Sequence, residues 1–174
     1  MGFGLRTRKH HLSVDVFTND RRFVSLTCCT CDRRPVFHDT ISSMATVTAL
    51  YGLHGDDHRV LAFCVMLDHV HVVVALNRLP PGRFVQAAKS IVTRNLRDTG
   101  EHTAVWQRGY YDHVIRRHDG LFRSIRYVLL NPVRKGLVDS WREWPYSGSC
   151  QWAEMDDSFL DDRAAESSVW DGIL

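Results

Sequence analysis

The chain has no run approaching ~18 uncharged apolar residues, the minimum for a membrane-spanning helix, so no span is expected. Its opening residues, Met1 to Lys9, lack the apolar stretch of a secretory signal, and a cytoplasmic location is the expectation. Cysteine is scarce and odd in number: Cys28, Cys29, Cys31, Cys64 and Cys150 make five. Without an export signal, an odd count argues against a disulfide framework. No second cysteine pair exists to complete a tetrahedral zinc site, so the first three read as small, semi-buried strand residues. Internal repeats and low-complexity segments are also missing, which excludes solenoids and disordered linkers.

What is present is an ordinary globular composition, 44% hydrophobic and 24% charged over 174 residues, enough for one domain with a sizeable core. Charge is unevenly spread. From Cys150 onward there are seven acids and one base, which leaves 13 of the 20 acids and 21 of the 22 bases in residues 1–149, a net +8. A basic body with an acidic tail fits a polyanion partner, though many solvated basic surfaces bind nothing. Three parts are expected: a basic arm over 1–20, a folded domain over 21–149, and an acidic tail over 150–174.

Periodicity places the elements. Phe23 to Thr30 alternates and is rich in strand formers, and Asp32-Arg33-Arg34-Pro35 breaks it. Ile41, Met44, Ala45, Thr48 and Ala49 recur at helical spacing between Asp39 and Tyr51, with Asp39 or Thr40 as the cap. Arg59–Met66 and His69–Leu76 read as strands whose short connection at Asp68 demands antiparallel neighbours. Phe84 to Arg97 predicts a helix with an apolar stripe and a polar, basic ridge of Lys89, Thr93 and Arg97. Trp106 to Arg116 predicts a fourth strand, and Asp119 caps a helix running to Asn131, where Pro132 stops it. Trp141 to Ser147 should fold back onto the body. Strand, helix, strand, strand, helix, strand is the split βαββαβ order of a ferredoxin-like α+β domain. An antiparallel sheet with helices packed on it is expected, plus one extra helix after the last strand.

Two features carry chemistry. In Met66-Leu67-Asp68-His69-Val70-His71-Val72, the histidines are two residues apart and share one face of a strand. Neutral imidazoles held this way can clamp one side of a divalent metal; alone, the pair reads equally as two hydrogen-bonded histidines at a strand end. On the 119–131 helix, Leu121, Ile125, Val128 and Leu129 form the buried stripe, and Tyr127 lies nearly opposite. Tyr127 and Asn131 stack one turn apart. They read either as a nucleophile beside a metal ligand or as a surface tyrosine and a helix stop.

The histidine strand, the segment Trp106-Gln107-Arg108-Gly109-Tyr110-Tyr111-Asp112-His113-Val114-Ile115-Arg116, the segment Arg126-Tyr127-Val128-Leu129-Leu130-Asn131-Pro132-Val133-Arg134-Lys135-Gly136-Leu137-Val138, and Trp144-Pro145-Tyr146-Ser147 together resemble the single-tyrosine HUH transposases. Within them, the REP-associated tyrosine transposases are the nearest branch. The resemblance covers residues 21–149. It implies a catalytic domain that cuts and rejoins single-stranded DNA near hairpins, acting as a monomer or homodimer. It makes Tyr127, on the extra helix, the nucleophile, His69 and His71 the metal pair, and Asn131 a candidate third ligand. The family usually has Pro-Asn before the first histidine, where this chain has Leu67-Asp68.

The resemblance makes chemical sense. A phenol is almost wholly protonated at neutral pH, and a phosphodiester repels its phenolate. A divalent cation offsets both problems, and imidazole ligation suits Mn²⁺ while oxygen ligation suits Mg²⁺, so either is expected to serve. Lys89, Arg94, Arg97, Arg116, Arg117, Arg134 and Lys135 are candidate phosphate contacts. Trp106, Tyr110 and Tyr111 either stack on unpaired bases or pack under the last helix. A DNA-hairpin-binding regulator with the same fold is the alternative to an enzyme, and a hydrolase would need a second His-x-Ser/Thr motif that is missing.

Overall fold

Alternation and helical spacing become elements in a computed structural model of the chain, which describes residues 22–150 except 78, 99, 101–103, 116 and 117. The arm over 1–20 and the tail beyond Cys150 lie outside the described residues. The elements are β1 (Arg22–Cys29), α1 (Thr40–Leu53), β2 (His58–Met66), β3 (His69–Leu76), α2 (Pro81–Asp98), β4 (Tyr111–Ile115), α3 (His118–Leu129), α4 (Asn131–Arg134) and β5 (Ser147–Gly148). The sheet order is β4-β1-β3-β2-β5, antiparallel throughout. The first six elements follow the split βαββαβ course, and β5 extends the sheet beyond β2.

Local chemistry sets the boundaries. Asp39 caps α1 by accepting from the Ser42 N–H at 2.8 Å. α2 begins a turn earlier than its apolar stripe, because Pro81 suits a first helical position where no N–H is needed. β4 starts at Tyr111, not Trp106: Gly109 takes φ +79° and breaks the extended run, and Trp106 makes only an isolated bridge to Thr30. The last helix is two helices. Pro132 has no N–H to give the Val128 carbonyl, so α3 stops at Leu129; the same proline fits the first turn of α4, which Asn131 opens.

The sheet separates two cores. Val70, Val72, Val74 and Leu76 of β3 face α1 and α2, with Phe84, Val85, Ala88, Val92 and Leu96 packed on them. Val73 and Ala75 face the other way, onto Leu121, Ile125, Val128 and Leu129 of α3. β2 contributes to both. Its pairing with β3 shifts between Val60 and Ala62, so the extra residue Leu61 joins the α3 side together with Ala62, Cys64 and Met66. Trp144 does fold back: its indole N–H donates to the Val65 carbonyl at 2.9 Å, and β5 pairs with Phe63 and Cys64.

Candidate active site

β3 is buried along its whole length, yet its first and third residues are histidines. Both lie on the α3 side, as Val73 and Ala75 do, and each is only 8% exposed. Their Nε2 atoms are 3.1 Å apart and the rings stand nearly perpendicular. Each Nδ1 has its own partner: His69 Nδ1 lies 2.5 Å from Asp68 Oδ1, and His71 Nδ1 lies 2.8 Å from Thr27 Oγ1. Thr27 is the cross-strand partner of His71 on β1.

This geometry fixes protons. An ionised carboxylate only accepts, so His69 Nδ1 carries the hydrogen and its Nε2 offers a lone pair. That lone pair accepts from the Nε2–H of His71, and the Thr27 hydroxyl then donates to His71 Nδ1. Burial is the first reason both imidazoles are held neutral. It lowers the pKa of His69, partly opposed by Asp68, and with help from His69, Arg33 and Arg134 it brings His71 to about 3.

α3 lays Tyr127 over this pair. Four buried residues turn its inner face to the sheet, and Tyr127 remains 46% exposed on the helix. Its ring meets the edge of His71, perpendicular, with centroids 5.8 Å apart. The Arg134 guanidinium from α4 sits 4.3 Å above the Tyr127 ring. One turn after the tyrosine, Asn131 is 4% exposed, and its Oδ1 is buried with no hydrogen-bond partner. Among the described residues, no three His, Cys, Asp or Glu side chains gather to hold a metal. The Asn131 amide oxygen is itself an oxygen donor left without a partner. Two imidazole nitrogens and an amide oxygen suit a small divalent cation with positions left for phosphate oxygens.

The basic candidates separate. Arg134, at the end of α4, and Lys135, which follows it, are exposed, and their charges reach the histidine pair. Arg94 and Arg97 are exposed on α2, across the sheet. Lys89 does not present a free ammonium as the basic-ridge reading expects: its Nζ donates to the Gln107 and Gly109 carbonyls at 2.9 and 2.5 Å, because α2 packs against the segment leading into β4. Arg116 and Arg117 lie outside the described residues. Trp106 and Tyr110 pack against the α1–α2 core instead of under the last helix, and the Trp106 indole donates to the Lys89 carbonyl. Tyr111 pairs with Thr27, in the same cross-sheet row as His71. Sequence reading passed over Thr27 and Arg33. Only strand register brings Thr27 to His71, and nothing local in Asp32-Arg33-Arg34-Pro35 announces that Arg33 reaches Asp68, at 3.4 Å.

A ferredoxin-like sheet bearing a histidine pair under a helix-borne tyrosine defines a class, and comparison with known proteins agrees. The model of the IS200-like transposases matches residues 22–121, and the chain belongs to that family. The match contains His69 and His71, whereas Tyr127 and Asn131 follow it. A Haemophilus influenzae protein assigned to the REP-associated tyrosine transposases is 29% identical over 99 residues, 50% of this chain. The aligned part spans 56% of that relative's length. The solved structure of a REP-associated tyrosine transposase bound to a REP hairpin is similar in fold, with a TM-score of 0.59 at 18% identity, over 88% of this chain and 95% of that one. No described helix is long and apolar enough to cross a membrane.

Proposed function

We propose that this protein cuts and rejoins single-stranded DNA beside hairpins, with Tyr127 as nucleophile and a divalent cation, Mg²⁺ or Mn²⁺, held by His69, His71 and Asn131. The observation that carries the reading is the perpendicular contact of the Tyr127 ring with a buried, neutral histidine pair, one turn from an unpartnered amide oxygen.

The cation's part is Lewis-acid stabilisation of charge on the scissile phosphate. The chain's residues do the rest. Ile125 and Val128 anchor α3 on the sheet, so the phenol is positioned without the entropy cost of a free collision. Its oxygen forms a bond to phosphorus, the bond to the 3′ oxygen breaks, the phenol proton leaves to solvent, and the departing oxygen is protonated. The phosphodiester energy is kept in a 5′-phosphotyrosine, so another 3′-OH can reverse the step without a nucleotide cofactor. Arg134 lies against the tyrosine ring and the charge of Lys135 reaches His69, so both would supply positive charge to an incoming phosphate.

Incubating the protein with a labelled hairpin oligonucleotide and Mn²⁺, then mapping the adduct, tests this. A covalent peptide centred on Tyr127, lost in Tyr127→Phe while hairpin binding is kept, is expected. Cutting by Tyr127→Phe would overturn the nucleophile assignment. Hairpin binding by the unaltered protein with no adduct would instead make it a regulator.

A further inference from the structure

Asp68 stands where the resembled family usually has asparagine, and its surroundings are built around it. The turn after β1 runs through two consecutive non-glycine residues in the left-handed region, Asp32 at φ +51° and Arg33 at φ +56°. That turn, in a conformation that side chains rarely adopt, brings the Arg33 guanidinium back to the β2–β3 connection, where its Nη1 lies 3.4 Å from Asp68 Oδ2 and 3.3 Å from Cys29 Sγ. The other carboxylate oxygen, Oδ1, takes the Nδ1–H of His69. The backbone of Asp68 is pinned as well. Its carbonyl accepts from the Thr30 N–H at 2.9 Å and lies 2.9 Å from the Thr30 hydroxyl, and Thr30 is fully buried. The neighbouring Leu67 carbonyl accepts from the Phe37 N–H at 3.0 Å.

We infer that Asp68 is a positioning residue for the metal site, locking His69 in its Nδ1–H tautomer with Arg33 as the counter-ion that holds the carboxylate still. The inference rests on the metal-site reading proposed above, and it makes the two histidine clamps unequal. An anionic acceptor permits one tautomer only, so His69 Nε2 always presents its lone pair. A hydroxyl both gives and takes a hydrogen bond, so Thr27 permits either tautomer of His71. Without a cation, His71 lends its Nε2–H to His69. With a cation, the same ring turns that nitrogen into a donor atom by carrying its hydrogen on Nδ1 towards Thr27. His69 is thus the fixed ligand and His71 the adaptable one. Outer carboxylates that orient ligating histidines typically change metal affinity by about 10–100-fold.

Two measurements on the 174-residue chain test this without DNA: imidazole ¹⁵N spectra of the cation-free protein, and Mn²⁺ affinity by electron paramagnetic resonance. The unaltered protein should show His69 protonated at Nδ1 alone. Asp68→Leu should give mixed His69 tautomers and Mn²⁺ binding about 10–100-fold weaker. Asp68→Asn has one oxygen for two donors, Arg33 and the His69 Nδ1–H, and its NH₂ admits the other tautomer, so it too should give mixed His69 tautomers. An unchanged tautomer and affinity in Asp68→Leu would overturn the inference. So would an Asp68→Asn protein that folds and still shows His69 protonated at Nδ1 alone. A protein that binds Mn²⁺ as described yet forms no Tyr127 adduct would overturn the transposase reading and leave the role of Asp68 standing.

Discussion

If α3 positions the tyrosine by packing, Ile125 and Tyr127 should respond oppositely to truncation although they are two residues apart. Ile125 is wholly buried against Leu61, Ala62, Val73 and Ala75, with Leu121, Val128 and Leu129 beside it. Ile125→Ala removes three buried carbons and leaves a cavity that the surrounding strands cannot easily close. Such changes cost 2–5 kcal/mol, and a site bounded by sheet backbone belongs near ~3 kcal/mol, more than a hundredfold in the folded-to-unfolded ratio. For a domain of this size that is a loss of ~6–12 °C in Tm. Tyr127 is half exposed and gives up one ring contact and one cation–π contact, so Tyr127→Ala should cost no more than ~1 kcal/mol. Urea denaturation of both variants reads the difference directly. Equal costs, or a larger cost at Tyr127, would mean that the helix is rotated from the orientation that sets the phenol over the histidines, and the proposed chemistry would lose its geometric basis.

Two further outcomes follow from the buried groups. His71 is held neutral down to about pH 3, whereas an unfolded histidine takes a proton near its ordinary pKa. The unfolded chain therefore binds more protons below pH ~6.5, and the cation-free protein should lose stability as pH falls from there, by up to ~1.4 kcal/mol per pH unit for each such group. Urea midpoints between pH 7 and 5 should fall less steeply for His71→Gln; identical slopes would refute the burial argument. Lys89→Met should cost ~1–3 kcal/mol, because two carbonyls lose their donor, yet leave hairpin affinity and its salt dependence unchanged. A weakened, less salt-dependent complex would return Lys89 to the DNA surface.

The parts of the site that the sequence reveals are those governed by local periodicity. A two-residue spacing in an apolar run is enough to put His69 and His71 on one face, and a helical wheel is enough to separate Tyr127 from Leu121, Ile125, Val128 and Leu129. Hairpin length alone makes β2 and β3 antiparallel neighbours. What stays hidden depends on distant partners. Thr27 is 44 residues from His71 and is identified only by register. Lys89 looks like part of an exposed ridge because nothing in α2 reveals the carbonyls that meet it. Arg33 sits in a stretch whose composition announces a break, while its left-handed backbone, which aims the side chain, has no local signature such as glycine. Pro132 reads as a stop and α3 does end before it, but a proline that ends one helix equally starts another, and α4 follows from that second property.

The extra residue in β2 has a consequence beyond its own strand. Ahead of Leu61, even-numbered positions such as Val60 turn towards α1 and α2; after it, odd-numbered Phe63 and Val65 do. Leu61 is thus a phase shifter, and Cys64 and Met66 stand beside the two imidazoles because of it. Were Leu61 drawn into regular pairing instead of bulging, Phe63 and Val65 would turn onto the reaction face and two sulfur-bearing side chains into the scaffold core. One unpaired residue therefore decides which side chains of the strand look towards the imidazoles.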